Sequence, residues 1–330
     1  VVAVARKNEV SISTVSHVLN GTRHVEPATR ERVLAAIATT GYRQDALARA
    51  MRRASSESIG IVVSDAGEPA FADMVHGVER AATERGLTLL LANSAESADR
   101  EYTAVRTLLD RRIDGLILAR AADSSPVLME LLEAEKAPTV LLDRVFADLP
   151  FDQVGADNRD SMRRLATGLI EAGHRRFAVV AGDLRVPTLR ERADGFLDAI
   201  RLGGLSPDES GLITGEDGRA VGDVFRAAMI EHGPTAVIAA STPLAARTLR
   251  VLAELRIATP RDVAFATFDG FPHSDLFSPT ITTVRQPAFD MGVAAVELLS
   301  DRMADRTGSP RTVRLRQSIE HRESSERPER

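Results

Sequence analysis

The chain contains neither cysteine nor tryptophan. Without thiols there is no disulfide framework, no thiolate-held metal and no cysteine nucleophile, a composition that suits a reducing, cytoplasmic setting. Tyrosine is nearly missing as well, with two residues in 330. Large flat stacking platforms are therefore scarce, and of the eleven phenylalanines Phe71, Phe146 and Phe271 are the candidates for that role. No apolar run approaches the roughly 18 residues that a membrane span needs, and no secretory leader pattern opens the sequence. Catalytic motifs are missing too: no GxGxxG follows a strand, and GxxxxGK[ST] and GxSxG do not occur. The seven histidines are scattered, with no HExxH or i, i+4 pair. The expectation is a protein that is not an enzyme and holds no metal or cofactor. The competing class is a small-molecule hydrolase built from Asp143, Asp157 and Asp269, for which no motif speaks.

What is present is length, and an uneven distribution of charge. At 330 residues the chain exceeds one average domain. Its net charge of −5 hides a basic front: residues 1–58 carry nine Arg and Lys against five Asp and Glu, and the remainder 33 against 42. A small basic unit ahead of a larger acidic one points to a polyanionic partner for the first alone.

Within the basic unit, Ser11–Gly21 (SISTVSHVLNG) has the spacing of a short amphipathic helix. Ile12, Val15, Val18 and Leu19 share one face; Ser13, Ser16, His17 and Asn20 share the other, with Thr14 at the border. Ser11 is the expected N-cap and Gly21 the stop, while Thr14 stands where a capping box would carry Glu or Gln. A short helix over Val2–Lys7 and a turn at 8–10 precede it. Pro27 and a helix over Thr29–Thr40 follow, with Val33, Leu34 and Ile37 spaced for burial. Three short helices with a tight turn between the first two make a helix-turn-helix head.

The stretch VARKNEVSISTVSHVLNGTRHVEPATRERVLAAIATTGYRQDALARAMR resembles the DNA-binding head of the LacI/GalR family of bacterial repressors. The VSxSTVSxVLNG core, the TRERV helix and the GYRxxALAR run agree together. The resemblance implies that Ser13 and His17 face base edges, with Ile12 against a thymine methyl at the other reading place. It also implies that Ser11, Thr14, Ser16, Asn20 and Tyr42 hold the DNA backbone. ALARAMR is similar to the family's hinge segment, where a leucine wedges into the minor groove. Here Met51 takes that place, flanked by Arg49, Arg52 and Arg53 for phosphate. VVAVA replaces the family's opening residues, which end in an Asp.

From Ile59 short apolar runs alternate with amphipathic helices. Strands are expected at 59–65, 87–93, 114–120 and 137–143, then in a second series starting with DQVGAD and continuing at 176–182, 211–215, 236–241 and 262–269. Helices are expected over Phe71–Arg85, Arg100–Arg112, Pro126–Glu135, Asp160–Ala172, Leu189–Leu202, Ala220–Glu231, Pro243–Leu255 and Phe289–Arg302. This is an α/β pattern of parallel sheets covered on both faces, arranged as two Rossmann-like lobes. The resemblance extends to about Arg322 and implies a core like a type I periplasmic binding protein, crossed near Asp157–Asp160, Gln286–Asp290 and Leu315–Ser318. The expected units are a head over 1–44, a hinge and linker over 45–58, a core over 59–323 and a disordered tail over 324–330. Within the core the first lobe takes 59–158 and 288–316, the second 159–287 and 317–323.

Ligands of such sheets bind outside the carboxyl ends of the strands. The candidates there are Asp65 with Phe71, Asn93, Arg144, Asp157, Thr188 with Arg192, Asp217, Ser241 and Asp269. Arg192 in RADGF matches the arginine of the family's RxxGF, which grips the effector, and Asp269 in FDG matches its FDD or FDN. Ser241-Thr242 replaces a common Asn-Asp. The resemblance thus implies a repressor of a carbohydrate-utilisation operon, relieved by a small effector bound between the lobes. Its partners would be a near-palindromic double-stranded operator, a sugar or sugar derivative, and a second copy of the chain, with a tetramer left open. A purine or another small polar metabolite remains the alternative effector.

Overall fold

The computed structural model describes residues 5–6, 10–20, 23–40, 55–206 and 211–326. The chain divides into two compact units, Val1–Glu57 and Ser58–Arg330.

The small unit holds α1 (Ile12–Asn20) and α2 (Pro27–Thr40). Ser11 caps α1: its Oγ accepts the Thr14 backbone N–H at 3.0 Å and lies 2.8 Å from the Thr14 hydroxyl. Ala5, Val15, Val18, Val33 and Ala36 form the core, with Val10, Val25 and Ile37 packed against it. Two side chains depart from expectation. Ile12 is 54% exposed and Leu34 46% exposed. A unit this small covers only a narrow stripe of each helix. Ile12, at the first helical position, lies off the Val15–Val18 stripe, and Leu34 is turned 100° from Val33, leaving the stripe to Ala36 and Ile37. Tyr42, Arg49, Met51 and most of the expected hinge lie outside the described residues. Asn20 belongs to α1, but its side chain lies outside them too.

The large unit carries two six-stranded sheets. The first is built from β1 (Ser58–Val63), β2 (Thr88–Asn93), β3 (Gly115–Leu118), β4 (Thr139–Asp143), β5 (Asp152–Ala156) and β11 (Thr312–Leu315). Its order is β11-β5-β4-β3-β1-β2, all parallel. The second holds β6 (Phe177–Gly182), β7 (Leu212–Thr214), β8 (Ala236–Ala239), β9 (Ala264–Phe268), β10 (Thr282–Arg285) and β12 (Ser318–Glu320). Its order is β12-β10-β9-β8-β6-β7, with β12 antiparallel to β10. Central strands such as β3, β6 and β9 are buried along their whole length, which is why they read as unbroken apolar runs.

Helices cover both faces. The first lobe has α3 (Pro69–Glu84), α4 (Ala98–Asp110), α5 (Pro126–Glu135) and α10 (Ala288–Ala304). The second has α6 (Asn158–Glu171), α7 (Pro187–Leu202), α8 (Gly218–Glu231) and α9 (Thr242–Glu254). Each lobe contains one helix pair in which glycine allows the backbones to touch. A Cβ on Gly77 would stand 2.0 Å from the Phe289 carbonyl oxygen, one on Gly292 2.1 Å from that of Met74, and one on Gly195 2.1 Å from that of Arg159. Gly77→Ala is expected to force α3 off α10 and cost about 3 kcal/mol, read as a lowered denaturation midpoint with an unchanged slope.

The chain passes between lobes at Asp157, at Gln286–Pro287 and at Arg316–Gln317, where consecutive elements belong to different sheets or pack on different ones. The first and third passages are tied together: Asp157 Oδ1 accepts the Gln317 backbone N–H at 2.7 Å, and the Asp157 N–H donates to the Leu315 carbonyl at 3.0 Å. Two corrections follow. DQVGAD does not start the second series of strands: β5 pairs with β4 and β11 in the first sheet, inside the 59–158 segment of the first lobe. The buried Asp152 carboxylate anchors it there, accepting from Arg302 Nε on α10 at 2.8 Å and from the Arg311 N–H at 2.7 Å. Nor does a free tail begin at 324. Ser324 is fully buried and donates to the Phe265 carbonyl at 2.7 Å, a backbone bond that sequence periodicity cannot reveal.

Candidate effector cleft and DNA-reading helix

Each sheet reverses its winding beside its first strand, β1 in one lobe and β6 in the other, since β2 and β7 lie to one side and β3 and β8 to the other. Loops leaving those strands part at such a point and leave a crevice. A cavity of about 410 Å³ lies there, lined from the first lobe by residues after β1 and β4 and from the second by residues after β6, β8 and β9. A larger hollow of about 570 Å³ between Phe177, Ile200 and Gly211 lies at the amino end of β6, beside residues outside the described set. It is at the wrong end of the strands to collect the loops that carry ligand groups.

Of the residues singled out in the sequence, Asp65, Phe71, Arg144, Thr188, Arg192, Ser241 and Asp269 line this cleft together. Asn93, Asp157 and Asp217 do not; each serves the backbone near it. Asn93 Oδ1 accepts the Ala66 and Ala95 N–H groups at 3.3 and 3.1 Å. Asp157 holds the crossing described above, and Asp217 caps α8 by accepting the Arg219 N–H at 2.8 Å. Of the three phenylalanines, Phe71 alone lines the cleft; Phe146 lies under the Arg120 guanidinium and Phe271 against Phe277.

Arg192 is 3% exposed and largely committed. Its Nε donates to Asn158 Oδ1 at 2.9 Å, and its Nη1 donates to the Ala240 carbonyl at 2.6 Å and to Asp269 Oδ2 at 3.2 Å. Its plane sits 4.3 Å over the Phe268 ring. Gln286 Nε2 holds the other Asp269 oxygen at 2.9 Å. Arg144 is committed as well, its fork closed on Glu96 at 2.5 and 3.1 Å and its Nη1 also donating to the Arg120 carbonyl at 2.5 Å. Burial works upward on the Glu96 carboxyl, but the hydrogen bonds and charge of Arg144 outweigh it and hold its pKa below the usual range.

Sequence reasoning missed Glu68, Glu96, Asp183, Glu216 and Gln286, and saw Asp143 only as a hydrolase candidate. Glu68 directly precedes Pro69 at the start of α3, and a residue between the end of β1 and a helix-opening proline was the available signal. Asp143 and Asp269, at the ends of β4 and β9, both have positive φ, 71° and 63°. Aspartate tolerates that conformation better than most residues, and strain of this kind gathers at binding sites. Burial first, then the charges of Asp269 and Asp65, raise the Glu68 carboxyl to about 7 against the pull of Arg192. Burial likewise raises Asp143 to about 6, opposed by Arg144 and Arg192 and aided by Asp269 and Glu96.

In the small unit, Ser11, Ile12 and Ser13 are exposed, and Thr14, Ser16 and His17 half-buried. The capped start of α1 thus offers one apolar and two hydroxyl side chains to solvent. A helix-turn-helix-type unit, followed in the chain by two parallel-sheet lobes with a polar cleft at their strand ends, defines a ligand-sensing DNA-binding regulator.

Comparison with known proteins agrees with both halves. Residues 3–45 match the model of the bacterial regulatory proteins of the lacI family, and residues 56–322 that of the periplasmic binding proteins and sugar-binding domain of the LacI family. The HTH-type transcriptional repressor PurR of Aliivibrio salmonicida is 31% identical over 324 residues, 97% of each chain. The transcriptional regulator CelR in complex with cellobiose is 31% identical, with a TM-score of 0.74 over 97% of this chain and 98% of that one. The lac repressor dimer bound to operator and the anti-inducer ONPF shares the fold at a TM-score of 0.84, with 24% identity over 98% and 97% of the two chains. The chain belongs to the LacI family: it is a DNA-binding transcriptional repressor with an effector-binding core.

Proposed function

We propose that the protein is a cytoplasmic repressor of carbohydrate utilisation, with no enzymatic activity, that releases its operator when a sugar or sugar derivative enters the interlobe cleft. The carrying observation is the cleft itself. Its free groups are almost all acceptors, which suit the many hydroxyl donors of a saccharide, and the likeness to the CelR–cellobiose complex points the same way. A purine stacks best between two aromatic rings, and Phe71 is the one aromatic ring among the lining residues. In the head, Ser13, His17 and Ile12 read base edges, and Ser11, Thr14, Ser16, Asn20 and Tyr42 hold the backbone. Arg49 and Met51 act in the hinge. A homodimer presents two heads to a near-palindromic operator, because a two-fold protein asks for a two-fold site. Effector and operator then alter each other's affinity by the same factor.

The test is fluorescence anisotropy on a labelled palindromic duplex selected from a random library. A complex that neutralises about six phosphates loses roughly 10³-fold in affinity between 50 and 200 mM salt. Millimolar cellobiose or monosaccharides are expected to weaken binding further at constant salt. A flat salt response would sink the DNA-binding assignment, and a duplex affinity indifferent to every sugar would sink the effector assignment.

A further inference from the structure

We propose that the effector is a saccharide bearing a free ammonium group, an amino sugar rather than a neutral or acidic one; this rests on the cleft being the effector site. Seven carboxylates line the cleft. Glu96 spends its charge on Arg144, Asp269 on Arg192, and Asp183 and Glu216 share Arg185. Asp65, Glu68 and Asp143 are left over. The nearest cationic nitrogen recorded for any of them is Arg144 Nε, 4.0 Å from Asp143 Oδ2. Even counting Arg185, which stands outside the lining, seven carboxylates face three guanidiniums, an excess of four. The amino ends of α3, α7 and α9 border the cleft through Glu68, Thr188 and Ser241. Each contributes about half a positive charge, which does not close the gap.

Two further atoms indicate what kind of molecule completes the site. Arg144 is 6% exposed, lines the cleft, and its buried Nε has no acceptor. Gln286 also lines the cleft, and its buried Oε1 has no donor. A ligand hydroxyl oxygen satisfies the first, and a ligand N–H or O–H the second, so the missing molecule carries both kinds of group. Among the described residues no three Asp, Glu or His side chains are placed to hold a metal ion, and the two unsatisfied atoms ask for an organic molecule with hydrogen-bonding groups. An anionic ligand meets three carboxylates of which only Asp143 has a guanidinium nitrogen within 4.0 Å, while Asp65 has only the Gly67 N–H at 2.8 Å. An ammonium group finds charge-assisted acceptors among Asp65, Glu68 and Asp143, and the hydroxyls beside it face Arg144 and Gln286. Burial is the main reason the Glu68 and Asp143 carboxyls are raised, and neighbouring carboxylates add to it at both.

Isothermal titration of the full chain with matched probes tests this. The sets are glucosamine, glucose and gluconate; galactosamine, galactose and galactonate; and the β-1,4-linked disaccharide of glucosamine against cellobiose. The tightest binder is expected to carry the ammonium group and to exceed its neutral counterpart by about tenfold, one charge-assisted hydrogen bond, while the acids do not bind. Glu68→Gln and Asp65→Asn are each expected to lower that ratio several-fold, toward one; two variants guard against one that fails to fold. Glu68 faces Asp65 on its own loop, Asp143 from β4, and Asp269 and Arg192 from the second lobe. Amines beside electron-withdrawing carbons stay protonated up to about pH 8. From pH 5.5 to 7, therefore, ionisation of Glu68 and Asp143 raises affinity for the amino sugar several-fold and leaves the neutral sugar unaffected. A neutral sugar that binds as tightly as its amino partner, or an acid that competes, overturns the proposal and leaves sugar sensing standing. Silence from every probe overturns both.

Discussion

Replacing Arg192 with alanine is expected to cost the core about 3–5 kcal/mol, the usual penalty for breaking a buried ion pair by removing one partner, and to abolish the effector response. The side chain joins three elements that no other described contact joins in the same way: Asn158 at the start of α6, the Ala240 carbonyl after β8 and Asp269 after β9. Truncation leaves the Asp269 carboxylate with only Gln286 as a side-chain donor and strips the Ala240 carbonyl of the Arg192 donor. The cleft then gains a further uncompensated negative charge beside Asp143 and Glu68. Arg192→Lys keeps the charge, but an ammonium lacks the planar fork that serves Asn158 and Ala240 from one side chain. It should therefore recover part of the stability and little of the response. Thermal unfolding and sugar-dependent operator release, measured on both variants, check this. A wild-type unfolding midpoint and full release in the alanine variant would be incompatible with the role assigned to Arg192.

His17→Ala is expected to weaken operator binding by roughly 30-fold to 10⁴-fold, because one base contact is worth about 1–3 kcal/mol and a two-headed complex loses it twice. The signature matters more than the size. A residue that reads a base leaves the variant indifferent to substitution at that base pair, whereas loss of a phosphate contact weakens all sequences alike. Thr14→Ala supplies the comparison, since Thr14 is assigned to the backbone, although its link to the Ser11 cap also makes it a helix residue. Binding to a panel of single-base operator variants separates the two. If His17→Ala lowers affinity evenly across the panel, the imidazole holds the backbone and the reading face must be assigned to Ile12 and Ser13.

Legibility in the sequence followed the range of the interaction. Helix and strand positions were readable because their causes are local: unbroken apolar runs in the buried strands, Pro27 in a first helical turn and Ser11 at a cap, whereas Pro69 and Pro187 open their helices two residues before the expected starts. Burial within the head was readable at Val15 and Val33 but not at Ile12 or Leu34, because apolar spacing identifies a stripe without saying how wide the neighbour is. DQVGAD was read as a strand and counted with the second series, although the bounds drawn for the first lobe, 59–158, include it. Strand character lies in its residues; its partner is fixed by Arg302 and Arg311, about 150 positions away.

By itself the sequence determined the α/β class of the core, the capped start of α1, and the arginine and aspartate, Arg192 and Asp269, that meet in the cleft. Short-range sterics and burial periodicity set the first two, and a motif carried the third. Only the tertiary structure decided which carboxylates are spent and which remain. Glu96 and Asp269 look alike in the sequence with Glu68 and Asp143, yet the first two are closed on arginines and the others are raised toward neutrality. Charge pairing depends on distances of a few ångströms between segments far apart in the chain, and the order of strands within each sheet sets those distances: Glu96 and Arg144 meet after β2 and β4, Arg192 and Asp269 after β6 and β9.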